Sequence, residues 1–421
     1  MSASSLWVRG RQTVASFFEQ VKKSNEPIYL CLLTAYVMRF YLLRIYWTLT
    51  YRDAMETANM ALTWAVLGAA ALYLFFTCVR WQPLRERKIL LVAIAVAMAG
   101  GIAWFYFKGM PSNAYTVVLD VFFCLMACGK SYKKCLRCVM FVAAGTLLVA
   151  AIGLFVPFSW DVMKPDNVSP GHSFGINYPN TWGYTAFSAM IICWYLYLRQ
   201  KPVLTFALFW GVSLFMFFVI SCRTIALLAM LFPVAAAFTG WWESRPAPLR
   251  TDGRGKTILS WLAVSIPFIF LAFNLALCLN YEWVRRTFYS TRLHTLAMRF
   301  VQGGLYLKMY GSNLLGNVYS SSDNYSVVVN GVTEALGILD NSFVSYIVVR
   351  GILWVLGCLG WQSLAIWKAV RRRDYAIPFL CAVILAYATM ERPGLNVWYN
   401  FVLLYPLAVA GAGGAKEGER P

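Results

Sequence analysis

Val139–Phe158 reads VMFVAAGTLLVAAIGLFVPF, twenty residues without a charge. At 1.5 Å of rise per residue, a helix of this length crosses the roughly 30 Å hydrocarbon core of a bilayer. A strand of a membrane barrel would alternate apolar and polar residues over about ten positions, and this stretch does not. Ile89–Phe107, ILLVAIAVAMAGGIAWFYF, repeats the pattern. Outward from these two, twelve segments qualify as spans: 28–48, 59–79, 89–107, 115–129, 139–158, 181–198, 203–220, 225–242, 257–279, 341–367, 376–390 and 397–412. The fourth and eleventh are short enough to be tilted partners or half-helices. The expectation is an all-α, polytopic membrane bundle of about twelve transmembrane helices. It forms one integral membrane domain over 1–421, with a long loop at about 280–340.

Composition supports that class. The 421 residues are 60% hydrophobic and 13% charged, with mean hydropathy +0.59. Soluble domains carry about 25% charged residues, so a soluble fold, a disordered chain and a disulfide-stapled module are excluded. A net charge of +19 would point to nucleic acid in a soluble protein. In a membrane protein it follows from the collection of Lys and Arg on cytoplasmic loops. With the N-terminus inside, inner segments hold 24 of the 37 Lys and Arg, and ten lie outside. Three more, Arg39, Arg44 and Arg350, fall within spans. The reading places both termini in the cytoplasm, with no nucleic-acid partner. The first 27 residues are polar and mixed in charge, unlike a cleavable signal peptide. The 11 cysteines sit mostly in apolar runs. Cys135 and Cys138 form a CxxC, but no second pair completes a zinc site, so neither metal nor cofactor is expected.

The unusual residues collect outside. Gly171–Asn180, GHSFGINYPN, is a Gly- and Pro-shaped turn with His172, Asn177 and Asn180 as polar candidates, and Asn180 or Thr181 can cap the next helix. Ser221-Cys222-Arg223-Thr224 is a short turn whose Arg223 either snorkels to headgroups or clamps an anion, since guanidinium matches phosphate oxygens. Arg285, Arg292 and Arg299 recur every seven residues, two helical turns. If 282–302 is one helix, they share a stripe on an amphipathic interfacial helix that grips anionic lipid or a lipid-linked diphosphate. His294 faces away from that stripe. A Gly-rich stretch, Tyr310–Asn317, follows, and 320–330 is polar and expected to be mobile. Asp340-Asn341 heads the tenth span. Asp340 serves either as helix N-cap or as an acid able to take a proton from a sugar hydroxyl. Arg350 lies inside that span, where a charge is costly and marks a functional candidate or a buried pair. Glu391-Arg392, on the last outer loop, is a possible partner pair.

Taken in order on this topology, His172-Ser173-Phe174-Gly175 to Pro179-Asn180, Ser221–Thr224, Arg292 with Gly303 running on to Leu314–Asn317, and Leu339-Asp340-Asn341 with Gly351 resemble the O-antigen polymerase/O-antigen ligase superfamily. The likeness is strongest to Wzy-type polysaccharide polymerases and covers roughly 160–355. It implies a fold like the C superfamily of metal-independent glycosyltransferases, in the bacterial cytoplasmic membrane with the active site on the outer face. The implied donor is an undecaprenyl-diphosphate-linked oligosaccharide. Further implied partners are membrane lipids and the flippase and chain-length regulator of the same pathway. Arg223 and Arg292 match the family arginines thought to hold the diphosphate. Asp340 stands where the ligase branch has a His proposed to help the acceptor attack. Arg223, Arg292 and Asp340 are therefore the candidate catalytic residues. His172, Asn177, Asn180, Arg285, Arg299, Asn341, Arg350 and Glu391 are the candidate substrate-binding residues. Two alternatives stay open: a ligase that transfers glycan to another acceptor, and a flippase or transporter of lipid-linked units.

Overall fold

The computed structural model describes residues 26–41, 52–80, 111–127, 129–153, 179–244, 254–288, 291, 294–317, 326–329, 332–335, 340–372, 374–391 and 394–408. Helices dominate: α1 (26–41), α2 (Arg52–Arg80), α3 (Pro111–Met126), α4 (Tyr132–Gly153), α5 (Pro179–Cys193), α6 (Pro202–Phe215), α7 (Arg223–Ser244) and α8 (Arg254–Leu279). Wider π-helical turns continue α5 to Leu198 and α6 to Ile220. Then come α9 (Tyr281–Phe288), α10 (His294–Tyr310), a hairpin of β1 (Ser326–Val329) and β2 (Val332–Ala335), α11 (Ser342–Arg350), α12 (Ile352–Arg371), α13 (Ala376–Met390) and α14 (Tyr405–Ala408).

Among the described residues, four helices are long and apolar enough to cross a membrane: Tyr132–Ile152, Pro202–Ile220, Ser260–Leu279 and Ile352–Arg371. The chain is a helical, membrane-embedded protein. Large apolar side chains such as Phe218, Leu231 and Trp261 point outward, as lipid allows and water does not. The expected span 89–107 lies outside the described residues.

The structure corrects the reading in three places. The tenth span, expected as one helix over 341–367, is two. α11 ends at Arg350 and α12 starts at Ile352, with Gly351 at φ +93° between them. A break leaves the last carbonyls of one helix and the first N–H groups of the next without partners. The loop after α10 supplies them. The N–H groups of Ile352 and Leu353 donate to the carbonyls of Asn313 and Leu314 at 3.0 and 3.2 Å, and Asn317 N–H donates to the Val348 carbonyl at 2.7 Å. Gly316, at φ +84°, packs against the backbone of Val349 and Arg350, and a Cβ on Gly351 would overlap the Leu314 carbonyl. All nine residues of α11 are buried.

The second correction is 397–412. The described chain from Gly394 to Ala408 is mostly turns and a 3₁₀ segment, Phe401–Leu404, with only α14 helical, and all of it but Leu407 is buried. Irregular backbone survives at membrane depth only inside protein, with its polar groups met. Here Trp361 Nε1 donates to the Leu403 carbonyl at 2.7 Å and Lys368 Nζ to that of Pro406 at 2.8 Å. The third is the arginine stripe over 282–302: α9 and α10 are separate helices with a bend at Thr291. The stretch expected to be mobile contains β1, paired antiparallel with β2 from Ser326–Ala335 to Val329–Val332.

Candidate functional site

The end of the bundle that carries the 280–340 loop gathers the polar residues. α10 reaches inward there because Gly303 and Gly304 carry no side chain. A Cβ on Gly303 would stand 2.7 Å from Cys278 Sγ, and one on Gly304 would overlap the Cys278 carbonyl and Tyr281. Arg299 lies one turn before Gly303 on the same helix face, so this close approach aims it at α11. Its Nη1 forms an ion pair with Asp340 Oδ2.

Asn341 is the N-cap of α11. Its Oδ1 accepts from Val344 N–H at 3.2 Å, as an Asn cap does. Its Nδ2 donates to Asn274 Oδ1 at 2.7 Å. Asn274 in turn donates to Thr389 Oγ1 at 3.1 Å and to the Phe270 carbonyl at 2.8 Å. The neighbouring Ser342 hydroxyl donates to the Glu391 carbonyl and accepts from Gly394 N–H at 3.0 Å. One short helix end thus ties α8, α13 and the buried 394–408 segment together.

Glu391, just past α13, is buried and lies within electrostatic range of Arg299. Burial pushes its carboxyl up to about 7, against the pull of Arg299. Burial also lowers Arg299 from its ordinary value, opposed first by the Glu391 charge. One guanidinium therefore pairs with one carboxylate and acts electrostatically on a second.

An almost wholly apolar groove of about 380 Å³ opens beside this cluster. Phe270, Phe273 and Leu277 of α8, Trp283 and Phe288 of α9, Leu296 and Phe300 of α10, and Thr389 and Met390 of α13 line it. Thr389 belongs to both, because its hydroxyl holds Asn274. The groove runs up to the residue before Glu391.

Of the residues singled out from sequence, Arg299, Asp340, Asn341 and Glu391 come together. Asn341 spends both ends of its amide on the protein. Arg223 is exposed at the first turn of α7, with its guanidinium 6.0 Å from the Phe217 ring. It follows Ser221, which holds a left-handed φ of 64°. Cys222 beside it packs against Gly183 and feels the charge of Glu391, so this turn borders the cluster. Asn180 lies in the first turn of α5, which begins at Pro179 rather than after an Asn180 or Thr181 cap; Pro is at home at that position. Arg285 sits on α9, half-buried. His172, Asn177 and Arg292 lie outside the described residues.

Arg350 goes elsewhere. α11 is nine residues long, which sets Arg350 about 13 Å from the cap. It is buried, donates to Asn396 Oδ1 at 3.1 Å, and lies 4.3 Å from the Tyr346 ring. Its charge acts on Asp120 of α3, whose Oδ1 accepts from Tyr36 Oη at 2.6 Å and Val397 N–H at 3.2 Å. Arg39 faces the same carboxylate. This second cluster anchors the 394–400 turn from within.

Sequence reasoning passed over Asn274, Thr389 and Asp120, and gave Ser342 no role beyond its place after Asn341. Asn274 and Asp120 carried a usable signal, since each is a polar residue inside an apolar run and so needs a buried partner. Among the described residues no group of three His, Cys, Asp or Glu could hold a metal ion. No protein-family model, no curated protein and no solved structure matches the chain.

Proposed function

We propose that the chain is a membrane glycosyltransferase that joins undecaprenyl-diphosphate-linked oligosaccharide repeat units at the outer face of a bacterial cytoplasmic membrane, as Wzy-type polymerases do. This reading includes the twelve-span, C-superfamily-like architecture with both termini inside. The observation that carries it is the adjacency of a charged cluster and an apolar groove: Arg299, Asp340 and Glu391 sit at the head of a cavity lined by Phe270, Phe273, Phe300 and Met390. That combination suits a ligand with a long apolar tail and an anionic head.

The chemistry follows. Breaking the bond between an anomeric carbon and phosphate leaves negative charge on the diphosphate. A guanidinium held beforehand at that position stabilises the charge as it grows, and losing one such donor costs about 2.7–4 kcal/mol of barrier. Arg299 is the arginine positioned for this, held by Asp340 until the diphosphate arrives. Arg223, and Arg292 outside the described residues, are the further candidates. The apolar groove receives the first isoprene units, so the donor reacts without leaving the bilayer.

The test is the size distribution of surface polysaccharide in cells whose only copy carries Arg299→Ala or Arg292→Ala, with membrane expression confirmed. Collapse of the ladder to single lipid-linked repeats is expected for Arg299→Ala. A full ladder from an expressed Arg299→Ala protein sinks the reading. Accumulation of long lipid-linked polymer instead of single repeats assigns the chain to the ligase branch.

A further inference from the structure

We propose that Glu391, rather than Asp340, takes the proton from the acceptor hydroxyl, and that Asp340 is the positioning partner of Arg299. The proposal rests on the glycosyl-transfer reading above and assigns its base. Asp340 is committed: its Oδ2 is paired with Arg299 at the mouth of the cluster. Glu391 is a second carboxylate within electrostatic range of the same guanidinium, and it is the more deeply placed, at 7% exposure.

Its backbone is fixed from both sides. Glu391 N–H donates to the Tyr387 carbonyl at 3.1 Å, and its own carbonyl accepts from Ser342 Oγ. It directly follows Thr389 and Met390, which line the apolar groove. A glycan whose lipid enters that groove therefore brings its anomeric carbon past Glu391 when its diphosphate reaches Arg299. The titratable groups facing the carboxylate are Arg299 from α10, Cys222 from the turn before α7 and Tyr387 from its own helix. Among the described residues only Arg299 of these is a cation, and a diphosphate on Arg299 weakens its hold on Glu391. Burial raises the carboxyl to about 7, the range in which a general base is effective at neutral pH.

The step balances without a co-reactant. The acceptor O–H proton moves to a Glu391 carboxylate oxygen, and the freed oxygen pair forms the new bond to the anomeric carbon. The bond from that carbon to the phosphate oxygen breaks, and its pair leaves on the lipid diphosphate beside Arg299. A single displacement inverts the anomeric configuration.

The experiment uses membranes holding the full chain, or its Glu391→Gln, Glu391→Asp or Asp340→Asn variants. The probe is radiolabelled lipid-linked repeat units extracted from cells that lack the chain. Elongation rate is followed from pH 5.5 to 9, and retention of the labelled lipid by the solubilised protein is measured separately. Glu391→Gln is expected to slow elongation at least ~100-fold while lipid retention stays within about twofold of wild type. Glu391→Asp should keep a measurable rate with a displaced pH profile. The wild-type rate should rise with pH through about 7, and that rise should survive Asp340→Asn. Elongation by Glu391→Gln at the wild-type rate overturns the base assignment and leaves the transferase reading intact. So does a pH rise lost in Asp340→Asn alone, or equal loss of lipid retention and rate in Glu391→Gln. No elongation by wild-type membranes overturns both.

Discussion

Two clusters in this molecule set arginines against carboxylates, and they treat the same chemistry in opposite ways. At the loop-bearing end, the side chains of Arg299 and Asp340 keep 19% and 20% of their surface open. Inside the bundle, Arg350 and Asp120 keep 6% and 3%. Asp120 is also saturated on one oxygen by Tyr36 and the backbone of Val397, and Arg350 is pinned to Asn396 and stacked on Tyr346. Among the described residues Arg299 has no such web: it pairs with Asp340 and acts electrostatically on Glu391. A cation shared between two acids at an open end can exchange one of them for a ligand. Charges sealed among aromatic rings and each bonded to that turn cannot, and their role is to hold the irregular 394–400 turn in place.

That contrast breaks most sharply at Asp120. Removing one member of a sealed cluster strands the other charge, at a cost of about 3–5 kcal/mol. Asp120→Ala should therefore lose most folded protein, read as the monodisperse peak of detergent-solubilised material. A normal yield would mean that the inner cluster is not an anchor. At the open cluster the order reverses. Arg299→Ala should cut elongation by about 100- to 1,000-fold and leave that peak nearly unchanged. Equal damage to both readouts would erase the distinction between the clusters.

Glu391 sharpens it further. A carboxyl raised from 4.5 to about 7 binds more protons folded than unfolded between those values, so its presence lowers stability as pH rises through that window. Glu391→Gln should then raise thermal stability at pH 8, by at most roughly 3 kcal/mol, with little difference at pH 4. A variant less stable than wild type at pH 8 would mean that the ionised carboxylate is a net asset to the fold. The smallest effect belongs to the cap. Asn341→Ala removes the Val344 cap and the Asn274 partner, and should cost about 1–2 kcal/mol, seen as a lower unfolding temperature. An unchanged value would show that the Asn274 carbonyl finds another donor.

Most helices could be read directly from the chain, because a bilayer demands a run of about twenty apolar residues and tolerates little else. The runs that became α4, α6, α8 and α12 are of this kind. The Gly351 break was not legible. Residues 341–367 are equally apolar whether continuous or split, and the split depends on the Asn313 and Leu314 carbonyls arriving from a loop more than thirty residues earlier. The glycines at 316 and 351 were visible as motif positions, but their reason was not: they meet backbone to backbone.

The arginines divide the same way. A seven-residue spacing puts Arg285, Arg292 and Arg299 on equal terms, and nothing local ranks them. Asp340 ranks Arg299 by reaching it, and Gly303 allows the approach. Arg350 and Glu391 were recognisable as ionisable groups in or beside apolar segments, which is where solvation forces a partner. What each met, Asn396 and the charge of Asp120 for Arg350 and the charge of Arg299 for Glu391, was settled by packing between segments far apart in the chain. Hydropathy acts residue by residue and is written in the sequence. Pairing of charges and satisfaction of a broken backbone are pairwise conditions, and only the assembled bundle decides them.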